Sequence, residues 1–156
     1  IMKDRLISFR YRMELEEVRN YSQLRKMLDE SSWQQFEKVV GKIFEFHDYE
    51  VEVSKVITFE DTKRQYDVLA KRDYLVAVDC KKWDNKRRIK YGLKKAVDDQ
   101  IERVKMLNPE VETYPIVVLS CQSPIEFHGS VPIVSVYKLN MFLSNFPIHQ
   151  QKMLNI

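Results

Sequence analysis

Two acids and a lysine are the residues of this chain best placed to do chemistry: Asp67, Asp79 and Lys81. Asp79-Cys80-Lys81 follows Leu75-Val76-Ala77-Val78, a run apolar on both faces and therefore expected inside a sheet. Charges at the end of a buried strand are costly unless something pairs with them. A divalent metal accounts for the acids, and a phosphate or a metal-bound water accounts for the lysine. Side chains two apart on a strand share a face, so Asp79 and Lys81 point one way and Cys80 the other, with Val76 and Val78. Asp67 belongs to the preceding strand. With residues 71–73 as the turn, it is expected opposite Ala77 and diagonal to Asp79, at a Cα separation of roughly 7–8 Å. Two carboxylates, a nearby backbone carbonyl and waters make an oxygen-rich site suited to Mg²⁺ or Mn²⁺. The plainer alternative is a salt-bridge cluster at a sheet edge.

The elements that must position these residues can be traced along the chain. Residues 1–31 read as a helical extension, with Leu15, Val18, Leu24 and Leu28 near helical spacing among many charges. A helix then starts at Ser32, whose spacing to Gln35 is that of a capping box. Trp33, Phe36, Val40, Ile43 and Phe44 form its apolar face, with Glu37 on the border. The segment 49–53 alternates as a strand, and the alternation slips at Ser54-Lys55, which predicts a bulge or bend. Strands follow at 65–70 and 74–81. A long amphipathic helix runs from about Asn85 to Leu107, ended by Asn108-Pro109. Strands at 114–120 and 131–136 flank a loop at 124–129, and a helix at 137–146 closes the chain. The predicted fold is α/β: a mixed central sheet flanked by helices, in the order αβββαββα.

This order and these residues resemble the PD-(D/E)xK, or restriction-endonuclease-like, nuclease superfamily, closest in texture to archaeal Holliday-junction-resolvase and Mrr-type members. Its pattern is an Asp on one strand and Asp/Glu-x-Lys on the next, here Asp67, Asp79 and Lys81. Tyr66 stands where the motif name has Pro, and His47-Asp48-Tyr49 stands where relatives often have Gly before the aromatic. The resemblance spans about residues 32–146. It implies a Mg²⁺- or Mn²⁺-dependent endonuclease hydrolysing DNA phosphodiesters in repair, recombination or restriction. The metal would be held by Asp67, Asp79 and the Cys80 backbone carbonyl, with Glu37, the family's helix acid, assisting. Lys81 would orient the nucleophile or stabilise charge on phosphorus. The resemblance also makes Gln100, on the long helix, a site candidate, although a glutamine there is more readily explained by a hydrogen bond to a strand end.

Charge patterning points to an anionic partner. Residues 63–105 hold 14 Lys/Arg against 7 Asp/Glu, while the whole chain has a net charge of only +3. Lys82, Lys86, Arg87, Arg88, Lys90, Lys94 and Lys95 are candidate contacts to a DNA backbone. Backbone contacts carry no sequence preference, which favours duplex or branched DNA recognised by shape. Sequence specificity would come from a further domain or protein, and cutting a four-way junction would call for a homodimer with two sites. Trp83 is expected to pack rather than stack on a base. Two cysteines and three scattered histidines argue against structural zinc. A charged N-terminal stretch without an apolar core, and no apolar run near the ~20 residues of a membrane helix, lead to the expectation of a cytoplasmic protein. Two rival functions remain: a non-catalytic nucleic-acid-binding module on the same fold, and an RNA-processing nuclease.

Overall fold

In a computed structural model, residues 33–83, 86–107 and 110–156 are described, with residues 86–90 by backbone alone. The expected extension at 1–31 and the Ser32 cap lie outside the described residues. The elements are α1 (Trp33–Phe46), β1 (Glu50–Phe59), β2 (Thr62–Lys71), β3 (Leu75–Lys81), α2 (Lys86–Leu107), β4 (Thr113–Leu119), β5 (Glu126–His128), β6 (Val131–Ser135), α3 (Val136–Ser144) and α4 (Phe146–Gln150). They build one six-stranded mixed sheet in the order β1-β2-β3-β4-β6-β5. β1, β2 and β3 form an antiparallel meander, and β3, β4 and β6 run parallel. The expected αβββαββα order is present, with two additions, the short helix α4 at the end and an edge strand. The 124–129 segment contains a short edge strand, β5, antiparallel to β6. A three-residue strand carries too few residues to show a period.

The apolar residues of β3 alternate between two cores, as the absence of a polar face requires. Val76, Val78 and Cys80 join Phe36, Val40 and Phe44 of α1 and Leu139 and Phe142 of α3 on one face. Ala77 and Val117 belong to the other face, which α2 covers with Leu93, Val97 and Val104. α1 lies close against β1 at Gly41, where a Cβ would come within 2.8 Å of the Val53 side chain. α1 ends at Phe46, and the left-handed backbone of Asp48 (φ 65°) then turns the chain into β1 without a glycine. Trp83 packs over Gly92, where a Cβ would meet the indole at 2.9 Å, so the residue is a packing group as expected. At the start of β3, Tyr74 stacks on Phe146 (centroids 5.1 Å apart, planes at 8°) and shares a 2.7 Å hydrogen bond between hydroxyls with Tyr49. Tyr114 meets both Tyr74 and Phe146 edge-on. Among the described residues no helix is long and apolar enough to cross a membrane.

Two details of register depart from expectation and both matter for the site. The β2–β3 ladder pairs Lys71 with Leu75, Leu69 with Ala77 and Val68 with Val78. The turn is therefore Arg72–Tyr74, closed by a 2.8 Å bond from Arg72 N–H to the Tyr74 carbonyl, and no glycine or Asn-Gly pair marks it. The shift places Asp67 directly across from Asp79 instead of on the diagonal. In β1 the pairing runs Val53 with Val68 and Lys55 with Tyr66, so no residue is inserted at Ser54. The slip in alternation is a kink: Ser54 takes a left-handed backbone (φ 54°) opposite Asp67 without a bulge.

Candidate active site

β3 delivers Asp79 and Lys81 to the C-terminal end of the parallel part of the sheet, where ligands of open α/β sheets characteristically bind. The antiparallel ladder stops at Val68–Val78. Two residues further along β3, Cys80 N–H donates to Asp67 Oδ2 at 2.7 Å, so the Asp67 carboxylate takes the place of a ladder acceptor. Residues facing each other across antiparallel strands bring their Cβ atoms to about 5 Å. Burial, then the neighbouring Asp79 and Glu37 carboxylates, outweigh the Cys80 bond and push Asp67 up to about 7.

Asp79 is 3% exposed. Its Oδ1 accepts from Arg103 Nη1 at 3.3 Å, and the Lys81 ammonium lies 3.3 Å from Oδ2. Among the described residues Oδ2 is buried with no hydrogen-bond donor, and the Lys81 ammonium reaches it as an ion pair. A buried carboxylate oxygen with no donor is costly and is accounted for when something absent from the free protein binds there.

Glu37, 1% exposed, contrasts with it. The Trp33 indole donates to Oε1 at 2.6 Å, and the Ser54 hydroxyl donates to Oε2 at 2.5 Å. The kink at Ser54 is what brings that hydroxyl from β1 to α1. Glu37 is thus held beside Asp67 with both oxygens occupied. Among the described residues no three His, Cys, Asp or Glu side chains converge as a metal-binding group. What remains is an oxygen set of Asp67, Asp79 and the Cys80 carbonyl. It fits a small hard cation such as Mg²⁺, which retains several waters and takes only one or two carboxylates.

Gln100 is 2% exposed and donates from Nε2 to the Ala77 carbonyl at 2.9 Å. It ties α2 to β3, and its Oε1 accepts from Arg103 Nη1 at 3.5 Å. The carboxylates open onto a cavity of about 750 Å³, whose walls include Trp33, Lys63, Arg64, Lys81 and Arg103. Arg103, Lys63 and Arg64 were not singled out by sequence. The available signal was the placement of Arg103 one turn after Gln100, on the helix stripe that faces the sheet. Of the candidate backbone contacts, Lys94 and Lys95 are exposed on α2, and Lys95 pairs with Asp99 at 2.8 Å. Lys82 is half-buried after β3. The side chains of Lys86, Arg87, Arg88 and Lys90 lie outside the described residues.

Residues 28–99, from α1 through the carboxylate strands into α2, match the family model Mrr_cat, described as a restriction endonuclease. The chain belongs to the restriction-endonuclease-like nuclease superfamily. An uncharacterized protein of Archaeoglobus fulgidus is 30% identical over 117 residues, covering 72% of this chain and 90% of that protein. Among solved structures, the small subunit of the heterodimeric restriction endonuclease R.BspD6I is similar at 12% identity and a TM-score of 0.49, covering 80% of this chain and 77% of that subunit. The segment shared with the superfamily contains Glu37, Asp67, Asp79 and Lys81; Gln100 and Arg103 fall just beyond the matched residues.

Proposed function

We propose that this chain is a divalent-metal-dependent endonuclease that hydrolyses phosphodiester bonds in DNA. The observation that carries the reading is the donorless Oδ2 of Asp79, facing Asp67 across the sheet with Lys81 beside it. Asp67, Asp79 and the Cys80 carbonyl would hold the cation, and Glu37 supports them from α1. When bound, such a cation polarises a phosphoryl oxygen and lowers the pKa of a bound water. Lys81 is the group placed to orient the nucleophile or to stabilise negative charge growing on phosphorus. Glu37, fixed by Trp33 and Ser54, holds negative charge beside Asp67. The cations along 81–95 supply attraction for the polyanion, and their contacts to backbone favour structure-selective or nonspecific cutting.

The rival reading is a DNA-binding module on the same fold that does not cut. A single assay separates the two. Linear duplex, supercoiled plasmid, single strands and four-way junctions are incubated with Mg²⁺, Mn²⁺ or EDTA, beside Asp79→Asn. Metal-dependent cutting that falls on the order of 10²-fold or more in the variant is expected. Cutting at the wild-type rate in Asp79→Asn removes the assignment. DNA binding without cutting on any substrate favours the module.

A further inference from the structure

The charges around Asp79 do not balance around metal alone. Glu37, Asp67 and Asp79 are three formal negative charges in the buried cluster, and Lys81 and Arg103 are two positive ones. On the cavity walls the formal charges of Lys63 and Arg64 are matched by those of Asp99 and Glu102. Counted with Asp67 ionised, as a metal ligand must be, the cluster is net −1, and a divalent cation turns it to +1. That excess equals the charge of one phosphodiester. Without Arg103 the metal-loaded cluster is neutral and has nothing left for the phosphate.

Arg103 is also placed for this role. Tyr66, the residue before Asp67, donates its hydroxyl to the Arg103 carbonyl at 2.7 Å, which fixes α2 at this turn. Among the described residues the guanidinium makes two hydrogen bonds, to Asp79 and Gln100; they are long (3.3 and 3.5 Å), and both use Nη1. Its side chain is 29% exposed and lines the cavity. Planar guanidinium forks match two phosphate oxygens, and long bonds made through one nitrogen are readily exchanged for better ones.

We propose that Arg103 is the phosphate-binding cation of this site: it pairs with Asp79 in the free protein and turns to the non-bridging oxygens of the scissile phosphodiester when metal and DNA are bound. The inference rests on the nuclease reading. It also implies that Arg103 competes with the cation for Asp79, so that removing it does not weaken metal binding.

The test measures two quantities on Arg103→Ala: Mn²⁺ affinity by calorimetry without DNA, and the rate of DNA cleavage at saturating Mn²⁺. Cleavage about 10²-fold slower, with Mn²⁺ bound at least as tightly as by the wild type, is the expected result. A wild-type cleavage rate overturns the proposal. So does a slow rate accompanied by weakened Mn²⁺ binding, which would make Arg103 a residue that positions Asp79. Should Arg103→Ala not fold, Arg103→Lys decides. An ammonium keeps the charge without the fork, so cleavage about 10-fold slower with Mn²⁺ affinity retained is expected, and an unchanged rate counts against the proposal. Failure of the underlying nuclease reading is recognised separately, because the wild-type protein then neither binds Mn²⁺ nor cuts.

Discussion

The two ends of β3 are built on opposite terms. At its start, Tyr74 lies among Tyr49, Tyr114 and Phe146, with rings stacked or edge-on and hydroxyls paired. At its end, five residues later in the chain, Asp79 has one oxygen without a hydrogen-bond donor among the described residues, and Asp67 carries a proton affinity raised by burial and like charge. One end stabilises the fold and asks for nothing further. The other leaves interactions unmade that only a ligand completes. Stability and function are thus separated along one strand, and substitutions at the two ends should separate in the same way.

The largest effect on stability is expected at the aromatic end. Phe146→Ala removes a ring that is 1% exposed and shared by three aromatic neighbours, and should cost about 3–5 kcal/mol in denaturant unfolding. Its cleavage rate per folded molecule should stay at the wild-type value; a matching loss of rate would break the separation. Ser54→Ala probes the link between fold and site. It strips a donor from the buried Glu37 carboxylate and should cost about 2 kcal/mol, measured by the same unfolding.

The smallest shift is the most diagnostic, because its sign is reversed. The Asp67 proton leaves near 3.8 in the unfolded chain and near 7 in the fold. Between those values the folded state holds more protons, so the stability of the chelated protein should fall as pH rises from about 4 through 7. Asp67→Asn should flatten that slope and stabilise the chelated protein at pH 8 by about 1 kcal/mol, while abolishing cutting. Urea midpoints at pH 5 and pH 8 decide it, and a destabilised variant at pH 8 would show that the charged end stabilises the fold after all.

Much of this arrangement was legible because it is local. Asp79, Cys80 and Lys81 sit on one strand, where the two-residue period alone fixes their faces. Phe36, Val40 and Phe44 declare their helix face by spacing, and the order of elements followed. Legibility ended where distance along the chain or turn geometry took over. The Arg72–Tyr74 turn has no glycine to mark its length, and the observed register puts Asp67 opposite Asp79 instead of on the diagonal. Ser54 read as an irregularity, but its partner Glu37 lies 17 residues earlier on another element. Arg103 was hidden among the 14 cations of residues 63–105, because only the packing of α2 distinguishes the one that reaches Asp79.

The kink at Ser54 has a second consequence. Among the described residues β1 is the outer strand of the sheet, and at ten residues it is long enough to template the addition of another chain. A left-handed residue at its middle interrupts the row of outward amide and carbonyl groups, and Glu50, Glu52 and Lys55 place charge along the same edge. At the opposite margin β5 is only three residues long. The residue whose hydroxyl fastens the acid of α1 therefore also, through its backbone, breaks the regularity of this edge.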